Sequence, residues 1–158
     1  MGTEIERKFL VDSTRFARPQ FGTEIRQGYL VRDPERSVRI RLCKVHYPDG
    51  SAEEEAYLTV KGSGGLVRAE YEYAIPPADA IEILDDLCLP GEIVKTRYEV
   101  DVVGRTFEVD FFAGRHAGVI VAEVEFDDPQ ETIVLPDWVT DELTGDPAWS
   151  NRAMSLPE

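Results

Sequence analysis

The chain has 158 residues, 42% hydrophobic and 30% charged, with a formal net charge of −14 and an isoelectric point near 4.5. That length is expected to form one domain, 1–158, with a real core, and the acid excess repels nucleic acid and anionic membranes at long range. No apolar run reaches the roughly 18 residues of a membrane-spanning helix, and the charged opening lacks the apolar stretch of a secretory signal.

Cys43 and Cys88 are too few and too far apart for a disulfide framework or a CxxC metal site. Both read as small buried hydrophobes, and a reducing, cytoplasmic location is expected.

In chain order, alternation predicts a first strand over 3–11. Asp12 or Ser13 is placed to cap a short helix over 12–18, ahead of Pro19. Strands follow over 25–32, 37–46, 55–61 and 67–75, with turns at Pro48-Asp49-Gly50 and Gly62-Ser63-Gly64-Gly65. The segment PADAIEILDDLC, 77–88, reads as the clearest helix, with proline in its first turn and an apolar stripe at Ala78, Ile81, Leu84 and Leu87/Cys88. Three more strands, 93–102, 105–112 and 119–127, are punctuated by Val103-Gly104 and Ala113-Gly114. The tail, 137–156, is expected to form a short helix whose apolar residues, Trp149 and Met154 among them, cover an end or wall of the sheet. Eight strands with few helices predict a mainly β (α+β) chain whose antiparallel sheet closes into a barrel.

The strands share an unusual pattern. Glu4, Glu6 and Lys8 lie on one face of the first strand, where a half-buried strand would place apolar residues. Arg39 and Arg41, Thr59 and Lys61, Glu70 and Glu72, Lys95 and Arg97, Glu108 and Asp110, and Glu123 and Glu125 repeat the same spacing. Most pairs are purely acidic or purely basic. Such pairs repel themselves and need partners across the sheet, and a closed barrel of about eight strands supplies them across its lumen. A charged interior costs several kcal/mol per ion unless it is paired or hydrated. Carboxylates without Cys or His suit Mg²⁺ or Mn²⁺, and arginines suit phosphate oxygens. A polyphosphate bridged to a divalent ion satisfies both sets, and phosphoryl transfer needs mainly positioning and charge neutralisation.

The same residues carry a family resemblance. EIERKFL resembles the N-terminal ExExK signature of the CYTH superfamily, the triphosphate tunnel metalloenzymes. The likeness continues in order through QGYL (27–30), VRIR (38–41), LTVKG (58–62), EYEY (70–73), KTRY (95–98), EVDFF (108–112) and AEVEF (122–126). It implies an eight-stranded antiparallel tunnel with a charged lumen and a few peripheral helices, in the short bacterial single-domain form. It assigns Glu4, Glu6, Glu123 and Glu125 to a divalent metal, Mg²⁺ or Mn²⁺, with Asp110 as an additional ligand. Lys8, Arg39, Arg41, Lys61 and Arg97 would grip the triphosphate, with Lys95 nearby. Glu70 and Glu72 match further acidic tunnel positions, for a second metal or for holding the bases. Tyr29, beside Lys8, would help orient or activate the attacking water, and a lysine among cations has a lowered pKa that suits proton transfer. His46 and His116 are read as loop surface residues.

The leading expectation is therefore a Mg²⁺- or Mn²⁺-dependent triphosphatase acting on inorganic triphosphate or another small triphosphate, as a monomer or homodimer, without nucleic acid or membrane partners. A class IV type adenylate cyclase is the alternative within the family, though Gly2 and Thr3 stand where those enzymes carry His-Phe. A non-catalytic polyphosphate or nucleotide binder is the third reading, and the complete carboxylate set speaks against it. Arg7, an outward charge on the first strand, is unexplained by the sequence.

Overall fold

The computed structural model describes residues 3–63 and 67–156. Long period-two segments rich in β-branched and aromatic residues give β1 (Thr3–Val11), β2 (Thr23–Asp33), β3 (Arg36–His46), β4 (Ala52–Lys61) and β5 (Val67–Ile75). After α1 (Pro77–Asp86) come β6 (Ile93–Val102), β7 (Arg105–Phe112) and β8 (Ile120–Glu125), and then β9 (Val139–Glu142) and the one-turn α2 (Asn151–Met154). The strands run in the order β5-β4-β3-β2-β6-β7-β8-β1-β9, and β1 also pairs with β5. That pairing closes an eight-stranded antiparallel barrel. It is made by Thr3, Glu4 and Ile5 against Ala69, Arg68 and Val67. β9 prolongs the same edge of β1 beyond the reach of β5, with Phe9 opposite Glu142.

Residues directly opposite on paired strands share a face. Lys8 lies opposite Glu123, Tyr29 opposite Arg39 and Gln27 opposite Arg41, Arg39 opposite Thr59, Thr59 opposite Glu72, and Arg97 opposite Asp110. All of these lie on the inner face. The apolar residues alternate outward. Phe9, Phe107, Val109, Ala122 and Val124 form one outer cluster with Phe16 and Trp138, and α1 lays Ala80 and Leu84 on Ile40 and Ala56 in another. Burying a side chain such as Phe9 or Phe107 stabilises the fold by about 1.5–3 kcal/mol. At one end the inner face itself becomes apolar: Leu10, Ile93, Phe112 and Val121 meet Leu143, Trp149 and Met154 of the tail.

Several local expectations change. No helix forms over 12–18. The Asp12 carboxylate instead accepts from Thr14 N and Oγ1, which spends it on a tight turn, and Phe16 is buried in the outer cluster. The tail is not one helix. It forms β9, a 3₁₀ turn at Pro147–Trp149 and α2, because the open edge of β1 recruits a strand first. Trp138 is core, 9% exposed. His46 is the last residue of β3 and its Nε2 lies 2.6 Å from Glu24. His116 sits in a 3₁₀ turn with Nε2 2.6 Å from the Met154 carbonyl, so it anchors the tail rather than decorating a loop. Arg7 gains a reason: its fork donates to both Glu142 oxygens at 2.9 and 2.6 Å, tying β9 to β1.

Candidate active site

The inner face carries charge because each strand presents its polar residues at every second position towards the lumen. At its centre Asp110 receives the Arg97 fork at 2.7 and 2.8 Å and stands 2.7 Å from Lys95 Nζ. Arg97 also donates to Glu108 at 2.9 Å. Arg41 donates twice to Gln27 Oε1, at 3.0 and 2.9 Å. Arg39 reaches Thr59 Oγ1 at 3.5 Å, and Thr59 in turn donates to Glu72 at 2.9 Å. Lys61 pairs with Glu70 at 3.3 Å, Lys8 with Glu123 at 3.6 Å, and Arg68 with Glu6 at 2.8 Å.

Burial and charge set the protonation states. Burial lowers Lys95 to about 7, against the pull of Asp110. Burial and the nearby Arg39 and Arg97 lower Arg41 to about 10. Burial also opposes the charge on Arg97, but Asp110 and Glu108 hold it well above its ordinary value. Burial disfavours ionised Asp110 and Glu123 too, yet Arg97 and Lys95 hold the first below its usual range, and Lys8 and Arg97 hold the second well below. Burial raises Glu108. The lysine that the barrel drives towards neutrality is thus Lys95, at the floor of the lumen.

A cavity of about 240 Å³ opens at the end covered by the tail, and Lys8, Tyr29, Arg39, Lys61 and Arg68 line it beside Glu6. Trp149 closes part of its wall and accepts a 3.0 Å hydrogen bond from Lys8 Nζ through its carbonyl. Two buried donors, Arg39 Nε and Gln27 Nε2, have no acceptor among the described residues. Buried donors seldom go unpaired, and both lie on the inner face, where the Arg97 fork is taken by Asp110 and the Arg41 fork by Gln27 Oε1. Oxygen atoms of an anion would satisfy them.

The structure therefore gathers Lys8, Tyr29, Arg39 and Lys61 on one cavity wall and places Arg41, Lys95 and Arg97 deeper. Glu72 and Glu70 lie against Arg39 and Lys61 respectively. Glu125 stands opposite Glu6 and is exposed at the end of its strand. The side chain of Glu4 lies outside the described residues. Asp110 has both oxygens engaged by Arg97 and Lys95. Arg68, Gln27 and Glu108 belong to the same inner face although the motif pattern does not single them out as site residues. Arg68 shares its period with Glu70 and Glu72, and Gln27 with Tyr29, so alternation alone carried that signal.

Among the described residues no three Asp, Glu, His or Cys side chains already converge as a metal cage. The donor chemistry nevertheless fits a hard divalent cation. Glu6 and Glu125 face each other across β1 and β8, Glu123 follows two pairs on, on the same face, and all three offer carboxylate oxygen.

Comparison with known proteins agrees with the closed barrel. Over 152 residues the chain is 42% identical to the inorganic triphosphatase of Acetivibrio thermocellus, covering 96% of this chain and 92% of that protein. It is 37% identical over 161 residues to the inorganic triphosphatase of Nitrosomonas europaea, covering 98% and 97%. A crystal structure of an inorganic triphosphatase superposes with a TM-score of 0.65 at 30% identity over 100% of this chain and 97% of that one. A putative adenylate cyclase from Bacillus halodurans matches with a TM-score of 0.57 at 15% identity over 82% and 84%, a likeness of fold alone. The CYTH domain family matches residues 2–147, and with the closed barrel and its charged interior in place, the chain belongs to the CYTH domain family.

Proposed function

We propose that this protein is a triphosphatase that hydrolyses inorganic triphosphate, or another small triphosphate, inside the barrel with Mg²⁺ or Mn²⁺. The observation that carries the reading is local. In a chain of net charge −14, one cavity is walled by Lys8, Arg39, Lys61 and Arg68 beside Glu6, and the buried Arg39 Nε donor has no acceptor among the described residues. The substrate is a compact polyanion, which the small cavity suits through the basic side chains on its wall. The identities with two curated inorganic triphosphatases support the same substrate class.

In the reaction water adds to a terminal phosphorus, the bond to the bridging oxygen breaks, and orthophosphate and pyrophosphate leave. Lys8, Arg39 and Lys61 hold the phosphate oxygens and offset the charge that shifts to the leaving group. Tyr29 and Lys8 line the wall where the attacking water is oriented. Arg41 and Arg97 bring positive charge to the floor, and Asp110 holds Arg97 and Lys95 in place there. Glu70 and Glu72 hold Lys61 and Arg39 in place. Glu6, Glu123 and Glu125, with Glu4, would hold the divalent cation, which when bound supplies phosphate charge neutralisation and acidifies water. Unpaired thiols at Cys43 and Cys88 support a reducing, cytoplasmic setting.

The test is a panel of tripolyphosphate, ATP and thiamine triphosphate with Mg²⁺ or Mn²⁺, scored for phosphate, pyrophosphate and cyclic nucleotide. Phosphate release from tripolyphosphate is expected. Release from none of the three overturns the reading, and cyclic AMP from ATP replaces it with the cyclase.

A further inference from the structure

Arg68 lies on β5 at the seam where the barrel closes, with its Cα opposite that of Glu4 on β1. Its guanidinium Nη2 donates to Glu6 Oε1 at 2.8 Å, and the two side chains are only 16% and 12% exposed. Both residues also line the cavity, together with Lys8, Arg39 and Lys61. Arg68 is therefore an arginine on the phosphate-facing wall whose partner is one of the carboxylates offered to the cation.

We infer that Arg68 is the resident counter-ion of Glu6 and becomes a phosphate-binding residue when Glu6 engages a divalent cation. The inference rests on the reading of Glu6 given above. Its physics is an exchange of partners. A partly buried carboxylate is costly without a positive neighbour, and Arg68 provides one while no cation is bound. A cation at Glu6 repels the guanidinium across a medium of low dielectric. The incoming polyphosphate supplies new acceptors within the same cavity, and a guanidinium pairs with phosphate oxygens as readily as with a carboxylate. Glu6–cation and Arg68–phosphate contacts then replace Glu6–Arg68, so neither charge is left alone at any stage. Cation and polyphosphate binding are coupled through one side chain.

This makes a prediction of opposite signs. Arg68→Met keeps much of the side chain's apolar stem and removes its charge. Mn²⁺ alone, titrated into the protein and followed by electron paramagnetic resonance, should bind about 5-fold or more tightly than to the unsubstituted protein, in the range of ordinary coupling energies. Imidotriphosphate, whose P–N bridges resist hydrolysis, should bind about 10-fold more weakly at saturating Mn²⁺, the loss of one charge-assisted contact. Arg68→Lys should restore the Mn²⁺ affinity to near the original, and if Arg68→Met does not fold, Arg68→Gln takes its place in both titrations. A general distortion of the site weakens both ligands and overturns the inference, as does an unchanged affinity for either. An unsubstituted protein that binds neither Mn²⁺ nor imidotriphosphate refutes the reading of the site itself, and the inference falls with it.

Discussion

Lys95 Nζ lies 2.7 Å from Asp110 Oδ2, and the two side chains are 0% and 1% exposed. The same carboxylate carries the Arg97 fork, so one acid neutralises two bases at the floor of the barrel. Asp110→Asn removes that charge and leaves Lys95 and Arg97 facing each other. Breaking a buried pair by removing one partner costs about 3–5 kcal/mol. Urea unfolding should show a loss of that order, and a change below about 1 kcal/mol would mean that the floor is hydrated and the pair is not structural.

Stability should depend on pH through Lys95. The folded lysine releases its proton near 7 and the unfolded one near 10.5. Between these values the unfolded chain binds more protons, so stability rises with pH across the window, at up to about 1.4 kcal/mol per pH unit. Below pH 7 both forms are protonated and the cost of burying the charge is fully present. Lys95→Met should flatten the rise, read as the difference between the two proteins' unfolding free energies from pH 6 to 10. Parallel curves would place the titrating group elsewhere.

Arg39 should matter for turnover more than for folding. It lines the cavity and its buried Nε has no acceptor among the described residues, which leaves that donor for the substrate. Arg39→Ala is expected to lower kcat/KM for tripolyphosphate by about 10²–10³, the usual loss for a donor aimed at developing charge. Loss of less than tenfold would remove Arg39 from the site.

The tail is held by a backbone fit that a single methyl group destroys. A Cβ at Gly91 would lie 1.7 Å from the Ser155 carbonyl oxygen, and the residue has φ +109°, a region closed to most side chains. Arg32 donates to that carbonyl at 2.6 Å. Gly91→Ala should release 150–156 to limited proteolysis and cost about 2 kcal/mol or more, since an L residue at positive φ is strained in itself. Protection equal to that of the unsubstituted chain would show that the tail is held by other contacts.

The outward pair of Arg7 and Glu142 gives a contrasting case. At 25% and 41% exposure it is screened by solvent, and such pairs contribute about 0–1 kcal/mol. Arg7→Ala should therefore shift thermal stability slightly and leave triphosphate hydrolysis unchanged. A loss of activity comparable to that of Arg39→Ala would contradict the assignment of Arg7 to the outer face.

Alternation in the chain was enough to predict the eight barrel strands and the charge of their inner face, because a period of two is a local property that neighbouring residues impose on each other. It also brought Lys8, Arg39, Lys61 and the acids into view, since each sits two residues from another polar group, whereas Tyr29 entered only through the family resemblance. Local sequence failed where a segment's conformation was set from outside. Residues 12–18 turn rather than coil because the Asp12 side chain bonds locally, and 139–142 becomes a strand because the slant of the barrel leaves an edge of β1 unpaired by β5. Pairing was beyond the sequence for the same reason. Nothing in EIERKFL says that Glu6 meets Arg68, or that Lys95 rather than Lys8 is sealed against Asp110. Those contacts depend on which strand lies beside which and at what register, and only the closed barrel decides that.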